Sequence, residues 1–226
     1  MKRNIITTGD GSKTIQIEDW NEQYHSKHGA IQEAYHVFIK NGLHFCSKML
    51  NTENNTTIAL LEIGFGTGLN AFITWLETER LNSNIDYVGV EAYPILTEEV
   101  TQLNYPEQLQ ENQIKFDILH SISWEEKHRL DKGFSITKQN CFFSEIAETN
   151  KYNLIYFDAF GARVQPELWT ETIFEKMYNA LQDKGVLVTY SAKGSVRRAM
   201  QSVGFFVEKL PGPPGKREML RAVKMT

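Results

Sequence analysis

The chain has 226 residues, 41% of them hydrophobic and 12% aromatic, enough to bury one full core and near the upper size for one domain. No stretch approaches the roughly eighteen apolar residues a membrane span needs, and the start Met1-Lys-Arg-Asn-Ile-Ile-Thr-Thr lacks a signal-peptide core, so a cytoplasmic protein without a membrane partner is expected. The net charge of −4 argues, taken alone, against a nucleic-acid partner, and Cys46 and Cys141 are too few and too far apart for a disulfide framework or a metal motif.

Asn4 to Ile17 alternates apolar and polar residues on both sides of Gly9-Asp10-Gly11, which predicts a β-hairpin ahead of the main fold. Gly29 through Lys40 carries Ile31, Ala34, Tyr35, Phe38 and Ile39 at helical spacing, and Leu43 to Leu50 continues it. Residues 1–50 therefore form an N-terminal extension within a single domain spanning 1–226. Strands then alternate with helices, as in α/β folds. Ile58–Ile63, Ile85–Glu91, Ile114–Ile118, Leu154–Phe157 and Val186–Tyr190 are the five parallel-strand candidates. Between the third and fourth, Phe134–Lys138 and Cys141–Phe143 suit a short extra strand or hairpin, and Trp124-Glu-Glu-Lys-His128 suits a solvated helix start. Gly204–Leu210 and Glu218–Val223, joined by Pro211-Gly-Pro-Pro-Gly215, read as an antiparallel hairpin at the sheet edge.

Ile58-Ala-Leu-Leu-Glu-Ile-Gly-Phe-Gly-Thr-Gly-Leu-Asn70 joins a buried strand to a helix through three alternating glycines. Without a Cβ, Gly64, Gly66 and Gly68 allow a sharp turn and let a ligand lie against backbone N–H groups. A dinucleotide fingerprint has two residues between its second and third glycines; here only Thr67 intervenes. Glu91 ends the second strand just over twenty residues beyond the loop, where a carboxylate can accept from both ribose hydroxyls. The fourth strand ends on Asp158, aimed at the crevice beyond the strand ends, where it can orient an amine and accept its proton. His25 and His28 are three apart, yet no Cys or carboxylate set completes a ligand group, so no metal is expected.

The net charge is unevenly spread. From Lys184 onward nine basic residues face only Glu208 and Glu218, about +7 for the tail beside about −11 for the remainder. Such a face can hold a phosphate backbone locally.

The pattern Glu62-x-Gly64-x-Gly66-x-Gly68 resembles motif I of methyltransferases dependent on S-adenosyl-L-methionine (SAM). Five parallel strands finished by a hairpin resemble their class I layout: a Rossmann-like, mixed seven-stranded sheet. Gly64-Phe-Gly-Thr-Gly-Leu-Asn70, Tyr24-His-Ser-Lys-His-Gly29, Glu33 with His36-Val-Phe38, Glu91-Ala-Tyr-Pro94, Asp158-Ala-Phe with Pro166-Glu-Leu-Trp169, and Gly215-Lys-Arg-Glu-Met-Leu220 together resemble the methyltransferase domain of the MnmC family, in its stand-alone, MnmD-like form. That resemblance implies methylation of the 5-aminomethyl group of the wobble uridine in tRNA, giving 5-methylaminomethyl(-2-thio)uridine. It assigns Glu62, Gly64, Phe65, Gly66, Thr67, Gly68, Asn70 and Glu91 to SAM, with Asn140 toward its adenine, and Asp158 to the methyl acceptor. Phe160 would flank an extruded base, while Tyr24, Lys27, Lys216 and Arg217 would contact substrate, the basic face meeting the anticodon loop. The chain departs from the family in carrying Gln139-Asn140 for a common Gly-Asp pair, and Asp-Ala-Phe-Gly-Ala162 for Asp-Gly-Phe followed by Ala-Pro or Ser-Pro. A small-molecule amine methyltransferase or aminopropyl transferase on the same fold remains the alternative, and a non-catalytic SAM-binding module a third reading.

Overall fold

A computed structural model describes residues 2–50, 56–81 and 83–225. Three short strands open the chain: β1 (Arg3–Thr7), β2 (Lys13–Ile17) and β3 (Glu22–Gln23), paired antiparallel in that order. The predicted hairpin is there, its turn at residues 8–12 held by Thr8 and Ser12 about Asp10. One helical rod follows, made of α1 (Ala30–Ala34), a π-helical stretch Tyr35–Leu43 and α2 (His44–Met49), so the predicted helix runs on with a widened middle.

An eight-stranded sheet forms the body. Its strands are β4 (Thr57–Ile63), β5 (Asn84–Val90), β6 (Lys127–Arg129), β7 (Phe134–Gln139), β8 (Tyr152–Phe157), β9 (Leu181–Thr189), β10 (Phe205–Pro211) and β11 (Glu218–Lys224), in the spatial order β10-β11-β9-β8-β4-β5-β7-β6. Strands β9, β8, β4, β5 and β7 run parallel, whereas β6, β10 and β11 are antiparallel to their neighbours. Helix α3 (Leu69–Thr78) follows β4; α4 (Thr97–Val100), α5 (Tyr105–Leu109) and α6 (Gln113–Ser121) follow β5; α7 (Glu171–Ala180) precedes β9 and α8 (Gly194–Ser202) follows it.

Two apolar layers sandwich the sheet, as a doubly covered parallel sheet requires. Along β4, Ile58 and Leu60 join the layer of Val37, Phe38, Phe72 and Tyr156, while Leu61 and Ile63 join Phe157, Phe174, Met177 and Met200 on the other face. Among the described residues, no helix is long and apolar enough to cross a membrane. Cys46 is buried and Cys141 half-buried, both as free thiols.

Two expectations are corrected. Ile114–Ile118 lies inside helix α6, not in a strand: Asn112 Oδ1 accepts from Ile114 N–H (2.9 Å) and starts the helix. The alternation of Ile114, Phe116 and Ile118 mimicked a strand, yet Phe116 and Leu119 are buried one turn apart while Ile114 is 62% exposed. The third parallel strand is β7, where Phe134, Ile136 and Lys138 are buried in alternation. Trp124–His128 is likewise no helix start. Glu125 has φ 65° and donates its N–H to Lys138 O (2.7 Å), leading into β6, so the sheet gains an eighth, edge strand beyond the seven expected.

Candidate active site

The parallel strands end together, and the residue after each falls on one rim: Gly64 after β4, Glu91 after β5, Asn140 after β7, Asp158 after β8 and Tyr190 after β9. The chain leaves β4 for neighbours on both sides, β5 and β8, so the glycine loop occupies the switch point where an open α/β sheet leaves a crevice. A cavity of about 820 Å³ opens there, in the size range of ligand pockets. Gly64, Gly66, Glu91 and Asp158 line its floor, Trp20, Tyr24 and Phe160 one wall, and Tyr93, Leu96 and Phe142 its mouth.

The loop conformation needs its glycines. Gly64 has φ 91°, and a Cβ there would stand 2.7 Å from the Asp158 carbonyl oxygen; Gly66 has φ 48°, and a Cβ would meet the Tyr24 ring at 2.9 Å. Gly66 N–H donates to Glu91 Oε2 (3.0 Å) and Tyr93 N–H to Glu91 Oε1 (2.9 Å), so Glu91 ties the two strand ends together while keeping acceptor capacity for a ligand.

Several motif side chains point away from the cavity. Thr67 is fully buried, its Oγ1 2.7 Å from His25 Nε2 and accepting from Tyr105 O–H (3.1 Å), while His120 Nε2 lies 3.2 Å from its carbonyl oxygen. Burial pushes both imidazoles down to about 4, which keeps them neutral at the loop. Phe65 packs inward against Gly89 and Trp124. Glu62 is buried behind the loop, accepting from Tyr87 O–H (2.7 Å) and Asn70 Nδ2–H (3.0 Å), and burial holds its carboxyl well above the usual range. Asn140 donates to the carbonyls of Glu91 (2.8 Å) and Ala92 (3.2 Å), bracing the rim from outside the cavity lining. These residues shape the loop that a ligand would touch.

Asp158 is half-buried at the cavity wall. Burial and the Glu33 carboxylate push its carboxyl up to about 7, opposed by the Asn70 hydrogen bond and the Lys216 ammonium. Asn70 Nδ2–H donates to Asp158 Oδ2 (2.8 Å) as well as to Glu62, so Asn70 braces the Asp158 carboxyl; its own Oδ1 is buried with no partner among the described residues. The backbone beyond Asp158 is pinned: Tyr190 O–H donates to Ala159 O (2.9 Å) and Trp169 Nε1–H to Phe160 O (2.7 Å). Arg163 bonds Trp20 O (2.9 Å), Asn21 O (3.1 Å) and Glu22 (3.0 Å), drawing the N-terminal sheet onto this loop. Phe160 thereby packs edge-on against Tyr24 (4.9 Å) and Trp20 (5.5 Å).

Lys216 reaches inward to Glu33, whereas Lys27 and Arg217 are exposed and outside the cavity lining. Trp20, Arg163 and Tyr190 had not been singled out by sequence. Tyr190 was findable, since it closes the fifth strand at the rim; Trp20 and Arg163 carried no local signal. The basic tail is partly spent within the fold, with Arg221 on Glu208 (2.9 Å), Lys209 on Glu218 (2.9 Å), and Lys224 buried on Leu181 O (2.8 Å). A second cavity at the amino ends of the strands is charged, but its Lys127 is paired with Asp86 (2.8 Å) and it holds none of the motif residues.

Comparison with known proteins agrees with this geometry. The family described as "S-adenosyl-L-methionine-dependent methyltransferase" matches residues 103–225. The tRNA 5-methylaminomethyl-2-thiouridine biosynthesis bifunctional protein MnmC of Leptospira interrogans serogroup Icterohaemorrhagiae is 27% identical over 223 residues, covering 95% of this chain and 34% of that protein. The chain thus spans about a third of the length of the curated relatives it matches. The crystal structure of MNMC2 from Aquifex aeolicus superposes with a TM-score of 0.75 at 26% identity, over 98% of this chain and 70% of that one. Spermidine synthase from Thermotoga maritima, at 12% identity and a TM-score of 0.50 over 99% of this chain and 72% of that one, shares the fold alone. The residues present fit SAM: a glycine cradle at positive φ, a carboxylate at the second strand end, and a buried Asn70 Oδ1, with no partner among the described residues, beside the Asp158 carboxyl. Fold, glycine loop and family match together place this chain in the family of S-adenosyl-L-methionine-dependent methyltransferases, with SAM as its cofactor.

Proposed function

We propose that the chain methylates the 5-aminomethyl group of the wobble uridine in tRNA, yielding 5-methylaminomethyl(-2-thio)uridine. The observation that carries this reading is Asp158: a half-buried carboxyl near neutrality, at the foot of an aromatic corner made by Trp20, Tyr24 and Phe160. A base extruded from an anticodon loop costs little to unstack and is held by such rings. When bound, SAM supplies an activated methyl group on a sulfonium. Gly64, Gly66 and Gly68 cradle it through their backbone, Glu91 takes the ribose, and Asn140 braces the rim on the adenine side. Asp158 accepts one proton from the substrate ammonium and keeps the nitrogen lone pair aimed at the methyl group, so alignment supplies most of the acceleration. Lys193, Arg198 and Arg217 are exposed at the carboxyl rim of the sheet, with no ion pair among the described residues, and offer contacts to phosphates; Lys27 and Lys216 belong to the same side of the reading.

The acid limb of the pH profile follows from Asp158. Its reactive form is ionised, so kcat/KM is expected to rise with pH through about 7 and level off above it. The native fold holds this proton over an interval where the unfolded chain has already released it. Stability therefore falls as the pH climbs from the ordinary carboxylate range to about 7, while activity appears. Rates measured from pH 5.5 to 9 check this; a profile flat through 7 would sink the base assignment.

The substrate reading is tested with labelled SAM and tRNA from cells lacking the modification, followed by nucleoside mass spectrometry. Label in the wobble uridine is the expected result. Label only on free amines, with none in tRNA, overturns it in favour of a small-molecule enzyme.

A further inference from the structure

The loop that carries Asp158 and Phe160 brings a third side chain to the cavity, the amide of Gln165. Between β8 and α7 the chain turns back on itself: Val164 N–H (2.9 Å) and Gln165 N–H (3.2 Å) both donate to the Gly161 carbonyl. Leu168 N–H then donates to the Gln165 carbonyl (3.2 Å) as a 3₁₀ turn, Pro166–Trp169, begins, and Trp169 Nε1–H closes that turn onto Phe160 O (2.7 Å). Gln165 is thus fixed through its backbone, half-buried, and lines the same cavity as Asp158 and Phe160. Its side-chain amide makes no hydrogen bond among the described residues. Other polar groups of the lining are committed: Arg3 to Glu99 (3.0 Å), His25 to Thr67 (2.7 Å) and Glu91 to two backbone N–H groups. An amide left open beside aromatic rings is costly to cover with an apolar ligand, since a ligand that displaces its water must replace the hydrogen bonds.

We propose that Gln165 holds the edge of the acceptor base, its Nε2–H donating to O4 and its Oε1 accepting from N3–H. The inference rests on the wobble-uridine reading and names the residue that orients the base within it. In a 5-aminomethyluracil, O4 stands on the carbon next to the one that bears the aminomethyl group, and N3–H follows O4. A base with its amine at Asp158 and its face on Phe160 therefore offers an acceptor and then a donor along the edge beside that amine. A carboxylamide has one donor and one acceptor side by side, the complement of that pair. Glu167, exposed on the same turn, has only acceptors and would match N3–H but not O4. Turned over, the Gln165 amide would equally match N4–H and N3 of a cytosine. Gln165 accordingly orients a pyrimidine, and the aminomethyl group selects it.

The test uses the full chain and two synthetic anticodon stem-loops with 5-aminomethyluridine at the wobble position, one of them the 3-deaza analogue, in which a C–H replaces N3–H at the same size. Dissociation constants are measured with S-adenosyl-L-homocysteine bound. The parent is expected to bind the 3-deaza loop roughly five- to tenfold more weakly, the loss of one hydrogen bond that leaves Oε1 unpaired. Gln165→Met should weaken the natural loop on the order of 10- to 100-fold, abolish the difference between the two loops and leave SAM affinity at the parent value. A parent that binds both loops alike, a variant that still discriminates between them, or one that loses SAM affinity overturns the proposal. Should Gln165→Met not fold, Gln165→Leu carries the same prediction. Methyl transfer by the parent to the natural loop separates the two readings. Transfer with no dependence on Gln165 removes this inference and leaves the wobble-uridine reading standing, whereas a parent that neither binds nor methylates the loop removes both.

Discussion

The D158N variant is expected to lose methyl transfer by about 10²- to 10⁴-fold in kcat, the range for a positioned general base, while binding SAM with nearly the parent affinity. The substitution is isosteric, and Asn70 Nδ2–H can still donate to the side-chain oxygen at this position. Removing the carboxylate also removes charge repulsion with Glu33, so the fold should hold or gain slightly. Calorimetric binding of SAM beside single-turnover transfer of labelled methyl separates these effects. Activity within tenfold of the parent, with the protein folded, would show that Asp158 neither accepts the proton nor orients the amine.

Gly64→Ala should be the most damaging single-methyl change in the loop. Two costs combine: a φ of 91°, which L residues rarely adopt, and a Cβ 2.7 Å from the carbonyl oxygen of Asp158, a backbone atom that cannot swing aside. Strain of this kind costs about 1–3 kcal/mol. Here it acts on the hydrogen bonds joining the ends of β4 and β5, where Gly64 N–H donates to Val90 O (3.0 Å). Relief by shifting the loop would move the SAM cradle and Asp158 together. We expect a drop in Tm of several degrees, about 2–4 °C per kcal/mol for a chain of this size, and SAM affinity weaker by at least about tenfold. Gly161→Ala is the control. A Cβ there meets the Tyr190 hydroxyl at 3.6 Å and a Glu22 carboxylate oxygen at 4.0 Å, both ordinary contacts, so stability should hold. Equal losses in both variants would show that general loop loosening, not local geometry, is at work.

Where local pattern and fold agree, the sequence was readable. Gly64-x-Gly-x-Gly68 after an apolar run leaves few options for the backbone, and the strand ends at Glu91 and Asp158 followed from their apolar stretches. The terminal hairpin was legible for the same reason: Pro and Gly between two alternating runs permit little else. The failures were of another kind. Ile114-x-Phe-x-Ile118 satisfies a strand pattern, and only the depth of Phe116 and Leu119 against a cap at Asn112 makes it a helix. Phe134–Lys138 reads only as a short extra strand, yet it is the third parallel strand β7, with Lys138 at a buried position. In the fold its ammonium is consumed by the carbonyls of Leu119 (3.2 Å) and His120 (3.0 Å) at the end of α6.

The candidate site divides along the same line. Residue types and spacing alone determined that a ligand loop follows β4, that carboxylates end β5 and β8, and that the terminal strands turn back, because each rests on neighbours within a few residues. Only the tertiary structure decided which motif residues line the cavity: Gly66, Glu91 and Asp158 do, while Glu62, Phe65 and Thr67 turn inward to hold the loop. It also decided that Asn70 holds Asp158, that Arg163 draws Trp20 onto the cavity wall, and that Lys216 is spent on Glu33 instead of on solvent. Side-chain direction and charge pairing depend on contacts between residues up to 183 positions apart, such as Lys216 and Glu33, and no local spacing encodes them.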